Sequence, residues 1–383
     1  MIFCNMENIV FAISLSVICA LTGGTSDELN EKFKEQLVMI GDKVVDRQID
    51  NFNYCDSGNL HDYGIDSWTN SVMYLGMTRW AAISPNGNYY YNWLYNEIGV
   101  KNRWQIPANF VNYPRYGIYH ADELCVAQFY IELYNRYKRW EMINASIQRL
   151  DQIMSNPGDS SMSYRNKQSW TWCDALFMAP PVYVGISQIK NDDSYLEFMH
   201  EHFMATYRHL FDKKCKLFYR DDSYFDKREA NGEKIFWGRG NGWVVAGLAN
   251  ILRLLPNDDC KRPFYSNLLA TILKRLIQLQ HPDGYWNASL LNPENYPAPE
   301  TSATALIAYA LAYSINNNIL EKGKYETPLK NACLHLMSIV DNNGKVGWVQ
   351  PIGADPKSVR KEMTATYGVG AFLMAASEIY LAF

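Results

Sequence analysis

The chain has 383 residues, of which 48% are hydrophobic and 20% are charged, and its formal net charge is −4. This composition is typical of a globular protein with a large core, and the small negative charge gives no reason to expect nucleic acid or an anionic membrane as a partner. Aromatic residues are abundant, with 27 Tyr and 11 Trp. Such rings suit ligands that combine an apolar face with many hydroxyls, as sugars do, although an aromatic-rich core is the alternative explanation.

Residues 1–24 resemble an export signal, because an apolar run at 9–21 is too short for a comfortable membrane span and is followed by small residues. The absence of Lys and Arg before this run is atypical of such signals. Cys19 is a candidate lipidation site, but the residues before it match a lipoprotein pattern poorly. We therefore expect an exported, periplasmic protein without a membrane span in the mature chain, and a single domain over 25–383.

Beyond this segment, two kinds of helix alternate along the chain. Charged amphipathic helices are predicted at 28–48, 89–98, 141–154, 194–211, 262–280 and 325–340. Nearly uncharged helices are predicted to begin near Asn70, Asp122, Asp174, Asn241, Thr301 and Thr364. By subtraction, the apolar starts are 52 to 67 residues apart, which suits a helical hairpin with a long loop. Six hairpins predict an all-α fold, an (α/α)6 toroid with apolar helices inside and amphipathic helices outside.

In a closed ring of hairpins, the N-terminal ends of the inner helices open on one face, which we call the mouth of the ring. Unpaired amides and helix dipoles make such a face favourable for anions. Seven of the 11 tryptophans fall in or beside these ends: Trp68, Trp170, Trp172, Trp237, Trp243, Trp286 and Trp348. This enrichment favours a carbohydrate-binding cleft that accepts an anionic group.

Two acids occupy corresponding positions at the starts of inner helices, namely Asp122 and Asp174. Two carboxylates in one pocket push their pKa values apart, so that one stays protonated while the other stays charged. The alternative is that each aspartate only caps its helix. His120, two residues before Asp122, is a further candidate for binding or proton transfer.

Arg239 lies in the segment 237–243 (WGRGNGW), where glycines permit close approach of the backbone and tryptophans flank the guanidinium. Because arginine binds carboxylates with two parallel hydrogen bonds, Arg239 is the leading candidate for binding a uronate. Arg360, just before the last inner helix, is a second candidate, with a solvated surface position as the alternative. Metal-binding and serine-nucleophile motifs do not occur, so we expect neither a metal nor a cofactor.

At four segments the sequence resembles the unsaturated glucuronyl and rhamnogalacturonyl hydrolases of glycoside hydrolase families 88 and 105, and it fits family 105 better. These segments are 172–181 (WCDALFMAPP), 237–243 (WGRGNGW), 299–305 (PETSATA) and 366–373 (TYGVGAFL). The resemblance implies hydrolysis of a 4,5-unsaturated uronate at the non-reducing end of a lyase-generated oligosaccharide. In this reaction an acid protonates the ring enol ether at C4, water adds at C5, and the resulting hemiketal collapses.

The resemblance also assigns roles to individual residues. It implies that Asp174 is the general acid and base, and that Asp122 is the second acid of the site. It places Trp172, Arg239, Trp243 and His120 around the substrate. Trp170, two residues before Trp172, is a further candidate for substrate binding.

One departure concerns Arg220, which stands where members of these families often have the histidine of a Tyr-His pair. It opens a polar insert, 220–233, that is a candidate loop over the mouth, with a plain solvated connection as the alternative. This change leaves the neighbouring sugar open between rhamnose, galactose and ulvan-type partners. An inverting glycosidase or sugar epimerase on the same fold, and a glycan-binding protein without activity, are the alternative functions. The sequence does not indicate an oligomeric state.

Overall fold

The computed structural model describes residues 26–51, 64–107 and 114–383, so the expected export signal and Cys19 lie outside the described residues. In chain order the α-helices are α1 (Ser26–Asn51), α2 (Trp68–Ala81), α3 (Gly87–Trp93), α4 (Cys125–Tyr137), α5 (Asn144–Ser155), α6 (Ala175–Met178), α7 (Pro180–Lys190), α8 (Ser194–Leu210), α9 (Gly238–Leu254), α10 (Arg262–Ile277), α11 (Thr301–Asn316), α12 (Lys322–Ser338) and α13 (Thr366–Ala382). Two short antiparallel strands follow α8, β1 (Phe211–Asp212) and β2 (Leu217–Phe218).

The inner helices form a closed ring. In ring order, α2 packs on α4, α4 on α7, the α6 and α7 pair on α9, α9 on α11, α11 on α13, and α13 again on α2. The outer helices are α1, α3, α5, α8, α10 and α12. The predicted all-α toroid of six hairpins is therefore confirmed.

Burial explains why the two helix types take these positions. In α11, every residue from Thr301 to Ile315 is buried, because it has no charged side chain to place in water. In α10, the buried residues recur at intervals of three and four along one face: Tyr265, Leu268, Leu269, Ile272, Leu273 and Leu276. The charged residues of α10 lie outside this stripe, so the helix fits only the outer layer.

The ring closes between α2 and α13 by close backbone contact at two glycines. A Cβ atom on Gly76 would lie 2.3 Å from the carbonyl oxygen of Gly370, and a Cβ atom on Gly370 would lie 2.1 Å from that of Val72. Neither backbone can yield without moving a whole helix. The small residues at these positions therefore set the distance between the first and last inner helices.

Replacing Gly370 with alanine is expected to lower the free energy of unfolding by about 1 to 3 kcal/mol, because the methyl group forces the two helices apart. Chemical denaturation monitored by circular dichroism measures this change. Gly323→Ala is the matched control, since a Cβ atom at Gly323 meets nothing within 4 Å. We expect the control to be neutral or slightly stabilising. Equal effects of the two substitutions would contradict close packing at Gly370.

The axis of the ring is crossed by a buried polar network. The guanidinium of Arg79, near the end of α2, donates hydrogen bonds to Asn250 Oδ1 (2.9 Å) and to the hydroxyl of Tyr309 (2.6 Å), and lies 3.4 Å from Glu132. The amide of Asn250 in turn donates to Gln128 Oε1 at 3.1 Å. These contacts join α2, α4, α9 and α11, so the end of the ring opposite to the helix N-termini is filled by side chains.

Three local features differ from the sequence-based expectations. The third inner helix, predicted to begin near Asp174, is divided at Ala179 into α6 and α7, because Pro180 supplies no amide hydrogen. The second begins with a 3-10 turn, Ala121–Leu124, before α4. The predicted outer helix at 89–98 is α3, which continues as a π-helical segment, Leu94–Val100.

Within the described part of the chain, no helix has both the length and the apolar character needed to cross a membrane. The five cysteines that the structure describes are all free: Cys125, Cys173, Cys215, Cys260 and Cys333.

Candidate active site

The structure brings Asp122 and Asp174 together at the mouth of the ring. Asp122 lies in the 3-10 turn before α4, and Asp174 directly precedes α6. The Asp122 side chain is 22% exposed and that of Asp174 is 12% exposed, so both are accessible but largely covered. Neither aspartate makes a capping hydrogen bond to its helix. The alternative that they serve only as helix caps is therefore wrong.

Burial and charge determine how the two carboxyls titrate. Burial raises the pKa of Asp174, and the charge of Asp122 raises it further, while Arg220 opposes the rise. Burial likewise raises the pKa of Asp122, to about 6, against the effects of Arg220, Lys167 and a hydrogen bond from Trp172. The pair can thus hold a proton close to neutral pH, as general acid catalysis requires.

The raised pKa of Asp122 predicts a dependence of stability on pH. Its folded-state pKa of about 6 exceeds its ordinary value of 3.8, so the protonated carboxyl is favoured in the folded protein. The resulting stability is present below pH 4 and is lost as the pH rises through 6. Asp122→Asn should abolish this loss, on the order of 2 to 3 kcal/mol.

This prediction is checked by urea unfolding of wild-type protein and Asp122→Asn at pH 4 and pH 7.5. The variant should gain stability relative to wild type between the two values. Asp226→Asn, which changes an exposed aspartate of the polar insert, is the control. If the stability difference between Asp122→Asn and wild type were the same at both pH values, burial would not control the titration of Asp122.

His120 and Trp172 form one wall beside the acid pair. Their ring centroids are 4.9 Å apart, and His120 Nδ1 lies 3.9 Å from Asp122 Oδ2. Burial lowers the pKa of His120 to about 3, with further lowering by Lys167 and Arg220. The imidazole is therefore neutral at physiological pH, and it contacts Asp122 as a polar neighbour and not as an ion-pair partner.

Arg220 also lies beside the acids. Its carbonyl oxygen accepts a hydrogen bond from the amide of Cys173 at 2.8 Å, which fixes the backbone beside Asp174. Its Nε lies 3.6 Å from Asp174 Oδ2, and its Nη1 donates to Asp221 Oδ2 at 2.5 Å. The departure from the Tyr-His pattern thus places a cation next to the expected general acid.

The polar insert that begins at Arg220 is held against neighbouring loops. Glu229 accepts a hydrogen bond from Ser289 at 2.6 Å, and Asn231 donates to the carbonyl of Leu291 at 3.0 Å. Asp222 accepts from the amide of Tyr164 at 3.0 Å. The insert therefore joins the loop before α6 at the rim of the mouth.

Arg239 lies deeper than expected, because the N-terminus of α9 packs closely on its surroundings. A Cβ atom at Gly238 would lie 2.4 Å from the carbonyl oxygen of Asn287. Arg239 is only 1% exposed, and its guanidinium donates to the carbonyls of Gln350 (2.5 Å) and Pro351 (2.9 Å). Its positive charge still acts on Asp174. The Nη atoms expected to bind a uronate are thus engaged by the backbone of the loop after α12.

The remaining predicted site residues take three different positions. Trp243 is fully buried against Phe177 and lies beneath the mouth, not on its surface. Trp170 packs between Tyr183 and His202 on the side of the outer helix α8. Arg360 is exposed. The structure does not bring these three side chains to the acid pair, so solvation is the better interpretation of Arg360 and core packing that of Trp170.

Sequence patterns also missed residues that the structure places at the mouth. Lys167 lies with its Nζ 4.6 Å from the ring centroid of Trp172, and its charge acts on both acids. Burial raises the pKa of Glu123 to about 8, with contributions from Asp122 and Asp66. Neither residue has a sequence signal that could have found it. A lone lysine in a polar loop, such as Lys167, is usually solvated, and Glu123 stands beside Asp122 at a helix start without a distinctive spacing.

Comparison with known proteins agrees with this geometry. The sequence profile of Glycosyl Hydrolase Family 88 matches residues 40–383. The chain belongs to this family. It is therefore a glycoside hydrolase, and the family assignment made from the sequence motifs is confirmed at the level of the combined group, with the match falling on family 88.

Individual relatives cover nearly the whole enzyme. A protein of Formosa agariphila named unsaturated 3S-rhamnoglycuronyl hydrolase is 34% identical over 96% of this chain and 98% of its own length. A protein of the same name from an Alteromonas species is 31% identical over 89% of this chain and 85% of its own. The solved structure of a family 88 glycosyl hydrolase from Bacteroides vulgatus is 29% identical, with a TM-score of 0.80 over 91% of this chain and 99% of its own.

Proposed function

We propose that this glycoside hydrolase releases a 4,5-unsaturated uronic acid from the non-reducing end of lyase-generated oligosaccharides, and that the adjoining sugar is a rhamnose. The observation that carries the proposal is the Asp122 and Asp174 pair, whose pKa values are raised by burial within the mouth of the ring. The names of the two relatives support rhamnose as the neighbour.

In the proposed reaction, protonated Asp174 transfers its proton to C4 of the enol ether. Positive charge then develops at C5 and on the ring oxygen, and a water molecule adds at C5 while its proton returns to a carboxylate of the pair. The hemiketal opens to a ketone at C5, and the former ring oxygen becomes a hydroxyl on C1. The C1 hemiacetal then collapses to an aldehyde, and the departing oxygen takes up the proton that the C1 hydroxyl releases. One water is consumed in total, and no oxidant or reductant is needed.

Several features of the mouth support these roles. Ionised Asp122 stabilises the positive charge of the transition state, while neutral His120 does not oppose it. Arg220, 3.6 Å from Asp174, favours the carboxylate that remains after proton transfer. Because both acids are mostly covered, the access of water to their carboxyl groups is limited, and these charge interactions are stronger.

The test follows the ultraviolet absorbance of the conjugated alkene while purified enzyme is mixed with unsaturated disaccharides. Substrates with rhamnose and with galactose beside the uronate, and a saturated uronate-rhamnose control, separate the candidate reactions. Loss of absorbance with release of free rhamnose supports the proposal. Turnover of the saturated control at a similar rate would instead support an ordinary inverting glycosidase.

We further propose that the enzyme is exported and acts in the periplasm, on the basis of the apolar run at 9–21. Cell fractionation of the native host, with the N-terminus of the mature protein determined by Edman sequencing, tests this. An N-terminus at Met1 in the cytoplasmic fraction would overturn the assignment.

A further inference from the structure

The ammonium group of Lys167 is a buried positive charge that the surrounding protein groups stabilise only in part. Its Nζ is inaccessible to solvent, rests over the ring of Trp172 at 4.6 Å, and makes no hydrogen bond to any described residue. An ammonium group carries three donors, and burying it without acceptors is costly. The contact with the indole ring offsets part of this cost. The remaining donors favour an oxygen-bearing anion beside Trp172.

Arg220 approaches the same place from a different loop. Its Nε is also buried without a hydrogen bond to a described residue, although Asp174 Oδ2 lies 3.6 Å away. Its Nη1 is engaged by Asp221. The bond between Tyr164 and Asp222 joins the loops that carry Lys167 and Arg220, and the charge of Arg220 acts on Lys167.

The charges around Lys167 and Arg220 leave one positive charge unmatched. Glu123 does not enter this count, because burial raises its pKa to about 8 and it is mostly protonated at neutral pH. Three cations, Lys167, Arg220 and Arg239, act on three carboxylates, those of Asp122, Asp174 and Asp221. When the catalytic proton resides on the acid pair, only two of these carboxylates are charged. One further anion would balance the mouth, and Arg239 cannot bind it directly because backbone carbonyls occupy its Nη atoms.

We propose that Lys167 and Arg220 together bind one oxyanion of the substrate, which is either the uronate carboxylate or a sulfate ester on the adjoining sugar. This inference rests on the proposed function for its substrate class. It assigns to Lys167 a binding role that sequence motifs do not reveal, and it transfers recognition of the anion from Arg239 to a pair of residues nearer the surface. Both sources present two or three oxygens that match the donors of an ammonium and a guanidinium.

The test compares Lys167→Met with the matched control Lys227→Met. Lys227 is also a lysine of a mouth loop whose Nζ lies over an aromatic ring, 4.1 Å from the centroid of Tyr224, but it is exposed. Each variant is assayed with an unsaturated uronate-rhamnose disaccharide, with and without a sulfate ester on the rhamnose. We expect Lys167→Met to raise KM by about 10- to 100-fold, the effect of losing one charge-assisted hydrogen bond, with kcat changed far less.

The two substrates identify the anion. An equal rise in KM on both would support binding of the carboxylate, and a rise on the sulfated substrate alone would support binding of the sulfate. An unchanged KM, or a fall in kcat alone, would overturn the proposal, because Lys167 would then act only on the acids. Lys167→Arg should restore most of the affinity, since it retains the charge and donors.

A binding measurement separates this inference from the proposed function. If wild-type enzyme turns over neither disaccharide, the proposed function fails, and calorimetric titration of the same disaccharides into wild type and Lys167→Met still tests the pair. Binding to wild type that weakens at least about 10-fold in the variant would support the inference. Equal binding, or no binding to wild type, would overturn it.

Discussion

Replacing Asp174 with asparagine is expected to lower kcat by roughly 10²- to 10⁴-fold, because the amide cannot transfer a proton to C4 of the substrate. The substitution nearly preserves shape, and Asp174 makes no helix-capping hydrogen bond that the fold would lose. Its side chain does lie 3.6 Å from Arg220, so a modest change in KM is also expected. Initial rates from alkene absorbance measure both constants.

Circular dichroism and thermal unfolding of the Asp174→Asn protein exclude misfolding as the cause. Asp226→Asn, which changes an exposed carboxylate of the polar insert, serves as the matched control and should retain full activity. If the Asp174→Asn enzyme kept a rate near that of wild type, another group would have to supply the proton, and Asp122 would be the first to test.

Replacing Arg239 with alanine is expected to lower the free energy of unfolding by about 3 to 5 kcal/mol. The guanidinium is buried, donates to two backbone carbonyls of the loop after α12, and lies over the rings of Trp237 (4.5 Å) and Tyr367 (5.0 Å). Its removal leaves a cavity and an unpaired carbonyl at Pro351. Urea denaturation at pH 7 measures the loss.

Arg360→Ala is the control for Arg239→Ala, since this exposed arginine should change stability by no more than about 0.5 kcal/mol. Arg239→Lys keeps the charge near Asp174 but loses one of the two hydrogen-bonding directions, so an intermediate stability is expected. Should Arg239→Ala unfold like wild type but bind substrate poorly, the original interpretation of Arg239 as the uronate ligand would be restored.

The architecture could be predicted because charge reports burial in both helix types. Outer helices place their charged residues outside one buried stripe, whereas the inner helix α11 has no charged residue and is buried on all sides. The inner helix α11 begins at the predicted Thr301, and the outer helix α8 begins at the predicted residue 194. The break at Ala179 was missed because the apolar pattern continues through Pro180, where the geometry of the ring redirects the helix.

The acid pair could be predicted for a similar reason, since Asp122 and Asp174 occupy equivalent positions in hairpins that are neighbours in the ring. The depth of Arg239 could not, because glycines permit a close approach to a ligand and to the protein backbone equally well. The position of Lys167 depends on how the loop before α6 folds back over Trp172, which is a tertiary contact without a local sequence pattern.

The polar network around Arg79 affects how substrate enters the enzyme and how product leaves it. Arg79 stands eleven residues after Trp68, or about 16 Å along α2 from the mouth. Because this network fills the end of the ring opposite to the mouth, the interior is open at the mouth alone, and a long glycan cannot pass through it. The liberated sugar must leave by the opening through which the next oligosaccharide enters. Accumulated product should therefore compete with substrate, and departure of the product, not bond cleavage, can become the slowest step as the reaction proceeds.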